Sequence, residues 1–307
     1  MLGTVLVPLD GSTFAEAALP IAAKLVRTAQ GRLHIFVAHQ AVVPVVGMWE
    51  MVGPPEQLNE EQRRWETAYL SETAAGLGQV GDGPVRTHHT DGRPGEGICE
   101  EAGEIGADLI VMATHGRGAL GRMWLGSVAD FVVRHTTIPV LLVHPERDSK
   151  PSPGIALQGI LVPVDLSAES EAVLDAVLTI TKLTQAHVTL LHVVQLLFEV
   201  SEPTLPYPIP VDPVIINQLR TDAESRLERL AERFRQRGMG VSTRVVIGAS
   251  AAGAVLDALE EPGFDMVAMT THGTRGLRRF LLGGVTDKVI RGARKPVLVL
   301  RPPGMDR

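Results

Sequence analysis

A glycine-rich stretch between a predicted strand and a predicted helix is the part of this sequence best suited to chemistry. Residues 109–112 are an uninterrupted apolar run, which is typical of a fully buried strand. Small residues follow, among them Ala113, Gly116 and Gly126, and Ser127 then precedes a helix-like segment. Glycines let backbone N–H groups approach an anion closely, and the first turn of a helix adds unpaired N–H donors with a partial positive charge. The stretch therefore predicts a place to hold phosphate.

The same stretch occurs twice in the chain. His115 and Gly126 of the first copy correspond to His272 and Gly283 of the second, 157 positions later. Solenoid repeats are about 20–50 residues long, whereas a repeat on this scale is a duplicated domain of ordinary size. The sequence therefore predicts two similar domains in tandem.

The duplication sets the expected domain boundaries. Residues 1–144 form the first predicted domain and residues 158–307 the second, and residues 145–157 are a proline-containing linker without apolar periodicity. Strand-like and helix-like segments alternate in each half, which is typical of a parallel sheet with helices on both faces. In the first half we expect one helix over residues 16–29 and a charged, mostly solvent-facing helix over residues 56–77.

The composition argues against several classes of partner. The net charge of −6 and the pI of about 5.9 argue against a nucleic-acid partner, which usually meets a basic protein face. No apolar run reaches the roughly 20 residues that a membrane helix needs, and the N-terminal run is of strand length and lacks a signal-peptide layout. The single cysteine, Cys99, fits a reducing cytosol. We therefore expect a cytoplasmic protein with neither nucleic-acid nor membrane partners.

Three segments of each half should meet at one edge of the sheet. In an open parallel sheet, ligands bind beyond the carboxyl ends of the strands, where the chain direction switches. In the first half these ends carry Asp10, Ala38 and the glycine-rich stretch, and Asp165 and Val193 are counterparts in the second half. An aspartate at this position can accept hydrogen bonds from ribose hydroxyls, and a strand end offers backbone groups to an adenine edge. The pattern outlines a mononucleotide site.

Some of these features also have explanations that need no ligand. Asp10 begins an Asp-Gly-Ser sequence, which is a good turn and helix cap by itself. Arg117 could reach the phosphates of a nucleotide or be an ordinary solvated charge on a loop. The sequence leaves both alternatives open.

No residue stands out as catalytic or metal-binding. His115 and His272 have no nucleophile or carboxylate beside them in the sequence, so we interpret them as loop-packing residues. His88 and His89 are consecutive in a predicted strand and should point to opposite faces, so the pair cannot chelate one metal ion. Cys99 lies outside any Cys-x-x-Cys motif and is interpreted as a small buried residue rather than a reactive thiol. We therefore expect no catalytic residue and no metal site.

The glycine-rich stretches are similar to the ATP signature of universal stress proteins, and the resemblance covers nearly all of both halves. That signature is Gly-x2-Gly-x9-Gly-Ser/Thr. In the first half Gly116, Gly126 and Ser127 fit it, and Ala113 stands where the first glycine belongs. Alanine is small enough for the close backbone approach to survive. The resemblance therefore implies a nucleotide site in the first half.

The second half departs from the same signature at two positions. Gly273 and Gly283 fit, but Thr270 replaces the first glycine and Gly284 replaces the serine or threonine. A β-branched threonine would intrude where ribose passes, and the phosphate would lose a hydroxyl donor. The resemblance therefore implies that the first half binds nucleotide better than the second.

The resemblance also implies the fold and the full set of site residues. The expected α/β fold is two tandem Rossmann-like, open, parallel five-stranded sheets with helices on both faces and strand order 3-2-1-4-5. The residues expected to bind nucleotide in the first half are Pro8, Asp10, Ala38, Ala113, His115, Gly116, Arg117, Gly126, Ser127 and Val128. The candidates in the second half are Asp165, Val193, Thr270, Gly273, Gly283 and Gly284.

Three functional hypotheses follow. The leading one is a nucleotide-responsive stress or regulatory factor that binds ATP mainly in the first half, with Mg²⁺ on the phosphates and protein partners that the sequence does not identify. The second is a nucleotide-free interaction module, in which the halves pair through residues 140–143 and 297–300 as an internal pseudo-dimer that could dimerise further. The third is a weak ATPase, and because no general base is evident we expect at most slow hydrolysis.

Overall fold

The computed structural model describes residues 2–41, 55–114, 125–145, 157–195, 212–271 and 282–302. The chain divides into two compact units, the first of Met1–Ile155 with Leu298–Pro303 and the second of Ala156–Val297 with Gly304–Arg307. The predicted linker, residues 145–157, lies almost entirely outside the described residues.

The strands of the first half are built as a parallel sheet with one small addition. In chain order they are β1 (Thr4–Pro8), β2 (Arg32–His39), β3 (Gln79–Val80), β4 (Gly83–Pro84), β5 (Arg86–Asp91), β6 (Leu109–Ala113) and β7 (Val140–Val143). Five of them form parallel pairs in the order β5-β2-β1-β6-β7, which is the expected order 3-2-1-4-5. The short strands β3 and β4 pair antiparallel with each other and were not expected. Every residue of β1, β6 and β7 is buried, as long apolar runs predict for a sheet covered on both faces.

The helices of the first half cover both faces of this sheet. They are α1 (Thr13–Glu16), α2 (Leu19–Ala29), α3 (Pro55–Leu77), α4 (Pro94–Glu104) and α5 (Ser127–His135). The prediction of one helix over residues 16–29 was wrong, because the chain forms α1 and α2 separately. Pro20 lies in the first turn of α2, where its missing N–H does no harm, and it favours a new helix start at that point.

The second half repeats the architecture. Its strands are β8 (Gly159–Pro163), β9 (His187–Gln195), β10 (Val241–Gly248), β11 (Met266–Thr270) and β12 (Val297–Leu300), in the order β10-β9-β8-β11-β12. Its helices are α6 (Ala168–Glu171), α7 (Val173–Thr184), α8 (Pro213–Arg235), α9 (Ala251–Glu260) and α10 (Gly284–Gly292). None of the helices within the described ranges is both long enough and apolar enough to cross a membrane.

A glycine fixes how closely α4 and α5 approach each other. A Cβ added at Gly95 in α4 would lie 2.5 Å from the Cδ1 atom of Phe131 in α5, so only glycine fits there. The Phe131 ring also stacks on His135 with 3.9 Å between ring centroids. This contact holds α5, whose first turn is part of the candidate site, against its neighbour.

We expect opposite effects from two glycine-to-alanine changes within α4. Gly95→Ala should lower the free energy of unfolding by about 1–3 kcal/mol, because the new methyl group overpacks against Phe131. Gly103→Ala should raise it by about 0.5–1 kcal/mol, because Gly103 is exposed with nothing near its Cβ position and alanine is the better helix former. Urea unfolding followed by circular dichroism measures both, and a shift of both variants in the same direction would contradict the packing argument.

Candidate functional site

A cavity of about 460 Å³ lies at the carboxyl ends of β1, β2 and β6 in the first half. The described residues of the expected site all line it: Pro8, Asp10, Ala38, Ala113, Gly126, Ser127 and Val128. His115, Gly116 and Arg117 lie outside the described residues. Segments that are far apart in the sequence are therefore brought together as the switch-point rule predicts. Their part in binding stays a prediction.

Asp10 forms the turn that its sequence predicts, and it also lines the cavity. Its Oδ1 accepts hydrogen bonds from the backbone N–H and the hydroxyl of Ser12, with 2.9 Å between Ser12 N and Oδ1. Ser12 in turn caps α1, because its hydroxyl accepts from the backbone N–H of Ala15. Gly11 between them has a φ of 77°, which favours glycine. The predicted turn and helix cap therefore both form, and they hold the Asp10 carboxyl group at the cavity wall.

The start of α5 supplies the other polar wall of this cavity. Gly126 is the N-cap residue, and as a glycine it supplies no side-chain cap to this end of the helix. The backbone N–H of Gly126 donates to the carbonyl of Thr114 at 2.8 Å, which ties the helix start to the end of β6. Uncapped N–H groups in a first helical turn attract anions, and Ser127 adds a hydroxyl group beside them. The arrangement suits a phosphate.

The second half has a cavity of about 400 Å³ at the corresponding place. Five candidates line it, namely Asp165, Val193, Thr270, Gly283 and Gly284, whereas Gly273 lies outside the described residues. Asp165 Oδ1 accepts from the backbone N–H of Ser167 at 3.1 Å, which repeats the first-half turn. Here Leu166 occupies the position of Gly11 and has a φ of 64°, a strained conformation for a leucine.

The two cavities differ in the side chains near the helix start. Threonines stand at 270 and 286 in the second half, where the first half has Ala113 and Ala129. Thr286 Oγ1 donates to the carbonyl of Thr270 at 2.8 Å, so these larger polar residues are tied to each other. The second half nevertheless keeps a formed cavity. The expected preference of nucleotide for the first half stays a prediction.

Comparison with known proteins also indicates that the two halves are related. The model of the universal stress protein family matches residues 1–144 and again residues 157–301. The chain belongs to the universal stress protein family. A universal stress protein of Mycolicibacterium smegmatis is 26% identical over 307 residues, with 97% of each chain covered.

The fold over nearly the whole chain is shared with a solved universal stress protein. One from Archaeoglobus fulgidus superposes on 98% of this chain, and on 97% of its own, with a TM-score of 0.64 and 17% identity. Another, determined in complex with cAMP, matches 47% of this chain and 97% of its own, with 25% identity and a TM-score of 0.34.

Among the residues of the first-half cavity that the sequence analysis missed are two from α3. Gln62 and Glu66 reach the cavity wall from α3, a helix predicted to face mostly solvent. Glu66 is only 4% exposed, and Leu70, one turn further on, is 2% exposed. Apolar residues such as Leu70 are too sparse in this charged helix to form a helical repeat, so the sequence did not indicate which face is buried.

Consecutive histidines in β5 have different partners, as expected for neighbours in a strand. His88 Nδ1 lies 2.8 Å from Glu101 Oε1 of α4, and His88 Nε2 lies 2.8 Å from His34 Nδ1 of β2. His89 Nε2 lies 2.8 Å from Glu66 Oε2 of α3. Burial, assisted by the nearby His88, lowers the pKa of His34 to about 4, so its ring is neutral at neutral pH.

Cys99 behaves as the sequence indicates. It is half-buried in α4, and burial, together with the negative charge of Glu100, raises the pKa of its thiol to about 11. A thiol reacts as the thiolate, so this cysteine is almost entirely in its unreactive form at neutral pH.

We expect Cys99 to resist alkylation in the folded protein. At pH 8 its thiolate fraction should be about a hundredfold below that of an ordinary thiol, and iodoacetamide labelling should slow in proportion. The rate should keep rising through pH 10, where an ordinary thiol has levelled off. Mass spectrometry measures the labelled fraction, and labelling in denaturant is the control. Equal rates in folded and denatured protein would show that the thiol is not protected.

Proposed function

We propose that the first half of this universal stress protein binds an adenine nucleotide, ATP with Mg²⁺ on its phosphates. Occupancy would make the chain a nucleotide-responsive regulatory factor in the cytosol. The observation that carries the proposal is a single cavity that has the Asp10 carboxyl group on one wall and the uncapped start of α5 on another. Its volume of about 460 Å³ lies within the range typical of small-molecule sites, about 300–1,000 Å³.

The chemistry of the walls matches the parts of the nucleotide. Asp10 can accept hydrogen bonds from the two ribose hydroxyls. The end of β2 at Ala38 offers backbone groups to the adenine edge, and apolar residues such as Ile98 line the cavity near it. The first turn of α5 at Ser127 and Val128 offers N–H donors and a hydroxyl to the phosphates.

Binding rather than catalysis is the better-supported role. The positive end of α5 stabilises a bound phosphate in the ground state, and nothing in the described cavity wall is arranged as a nucleophile with its base. Asp10 is engaged with Ser12, which holds it as an acceptor for ligand hydroxyls. ATP bound here would change the surface that the first half offers to other proteins, and that change is the proposed signal.

Isothermal titration calorimetry of nucleotide-free protein with ATP and Mg²⁺ tests the proposal. We expect at least one site per chain in the wild type, with a first-half site that Asp10→Asn weakens by roughly 10–100-fold, because hydrogen bonds to a charged acceptor contribute about 1.5–3 kcal/mol. The matched control is Asp165→Asn, the same change in the second half, which should leave the first-half site intact.

Two further ligands separate the contributions of the adenine, the ribose and the phosphates to binding. Cyclic AMP keeps the adenine but has one phosphate and no free 3′-hydroxyl, and inorganic triphosphate keeps only the anion. Both should bind more weakly than ATP if all three walls contribute. Absence of heat with ATP would overturn the proposal. So would equal ATP affinities of two proteins that both carry Asp165→Asn in the second half, one with Asp10 and the other with Asp10→Asn.

A further inference from the structure

Three side chains that can ligate a metal converge beside the first-half cavity. They are His39 of β2, Glu66 of α3 and His89 of β5, and one potential ligand atom from each lies within 4.8 Å of the others. Glu66 Oε2 is 2.9 Å from His39 Nδ1 and 2.8 Å from His89 Nε2. Within the described ranges, this is the one group of three or more such residues with this geometry. We call it the His-Glu-His cluster.

The sheet register explains how the two histidines meet. In the parallel ladder between β2 and β5, Val37 is the partner of His89, and His39 lies two residues beyond Val37. Side chains two residues apart share a face of the sheet, so His39 and His89 project on the same side. Glu66 reaches them from α3. The cluster is thus held by three different elements rather than by a flexible loop.

The cluster is buried but open at one point. The side chain of His39 is 0% exposed and that of Glu66 is 5% exposed, whereas that of His89 is 22% exposed. Gln62 Nε2 donates to the other carboxylate oxygen, Glu66 Oε1, at 2.8 Å and so orients the carboxylate. An ion could therefore enter past His89 and meet a carboxylate that is already positioned.

Three side chains hydrogen-bond to the carboxylate of Glu66. Burial by itself would raise the pKa of Glu66, but hydrogen bonds from His89, Gln62 and His39 leave that pKa below its usual value. These contacts fix the position of the carboxylate, whose Oε2 lies between the two imidazoles in a mostly buried position.

The second half has no histidine at the two corresponding strand positions. The strand registers of the second half place Val194 where the first half has His39, and Val245 where it has His89. Two valines thus fill the same positions of the same architecture. The first half carries titratable groups at positions where the second half carries apolar side chains.

We propose that His39 Nδ1, Glu66 Oε2 and His89 Nε2 bind a divalent transition-metal ion of the Zn²⁺ class. Two imidazoles and a carboxylate are a common three-residue zinc set, which leaves a fourth position for water. Zinc bonds of about 2.0–2.1 Å place tetrahedral ligand atoms about 3.3 Å apart. The two separations from Glu66 Oε2, 2.9 and 2.8 Å, therefore need to widen by only a few tenths of an ångström, and the two histidine nitrogens, which lie within 4.8 Å of each other, need to settle at about that spacing. Each histidine would ligate through the lone pair of the named nitrogen, with the ring proton on its other nitrogen.

This site is distinct from the proposed Mg²⁺ on the nucleotide. Mg²⁺ takes oxygen ligands and keeps several waters, whereas imidazole nitrogens select Zn²⁺, Co²⁺, Ni²⁺ or Cu²⁺. The inference therefore does not depend on nucleotide binding, although Glu66 is a wall residue of the same cavity.

Titration of untagged, chelator-treated full-length protein with Co²⁺, without nucleotide, tests the site. Four-coordinate Co²⁺ absorbs visibly, so we expect one equivalent per chain to develop this spectrum and one equivalent of Zn²⁺ to abolish it. His89→Gln should weaken Co²⁺ binding by about a hundredfold or more, because even the outer-shell partners of a metal ligand are worth roughly 10–100-fold.

The chain provides a matched control for this variant. His88→Gln changes the adjacent residue of the same strand, whose partners are Glu101 and His34, and should leave the Co²⁺ spectrum unchanged. Thermal unfolding gives a second readout, because Zn²⁺ should raise the Tm of the wild type and of His88→Gln but not that of His89→Gln.

Several outcomes would overturn the proposal. They are the absence of a stoichiometric Co²⁺ spectrum, an unchanged affinity in His89→Gln, or an equal loss in His88→Gln. Glu66→Gln is a second variant, which keeps the proposal testable if His89→Gln does not fold. Glutamine has nearly the same side-chain volume as glutamate, and we expect the Glu66→Gln protein to lose the Co²⁺ spectrum as well. Retention of the wild-type spectrum by a folded Glu66→Gln protein would contradict the assignment.

Discussion

The uncapped first turn of α5 is the feature on which the candidate site depends. Its N-cap is a glycine, and the sheet order fixes this turn beside the end of β1, where Asp10 lies. Backbone N–H groups that no side chain satisfies need water or a ligand. A hydrogen bond between Gly126 and Thr114 ties the turn to the end of β6, so a fully buried strand sets its position. The second half repeats this tie between Gly283 and Thr271.

Most of the architecture could be predicted because it depends on local pattern. Alternating apolar runs and amphipathic segments indicated the parallel sheet, and the resemblance to universal stress proteins supplied its order. The break between α1 and α2 was missed, since Pro20 was not interpreted as a helix start. The approach of Gln62 and Glu66 to the cavity could not be predicted, because the packing of α3 on the sheet, and not the local sequence, decides which of its many charged residues is buried.

The histidines show a second limit of reasoning from sequence. His88 and His89 were correctly expected to diverge, but the sequence analysis considered them only as a pair. Each has another histidine on the neighbouring strand, His34 and His39 respectively, and a carboxylate from a helix. The partner histidines are at least 50 positions away in the sequence, and the register of β2 against β5 brings them close. The carboxylates arrive separately, from α4 and α3. The spacing of residues along one strand therefore does not predict metal-ligand sets whose members lie on neighbouring strands.

The turn after the first strand of each half illustrates how a duplicated gene preserves a piece of structure. Gly11 adopts a left-handed backbone at little cost, whereas Leu166 holds nearly the same conformation at an expense of order 1–2 kcal/mol. Aspartate and serine two residues apart make the same contacts in both copies, so side chains rather than backbone preference dictate the shape. The unit consists of the aspartate, the serine and the residue between them, and it forms with either glycine or leucine in the middle position. An engineer could graft it onto the first strand of another doubly wound sheet to present a carboxylate there without relying on glycine.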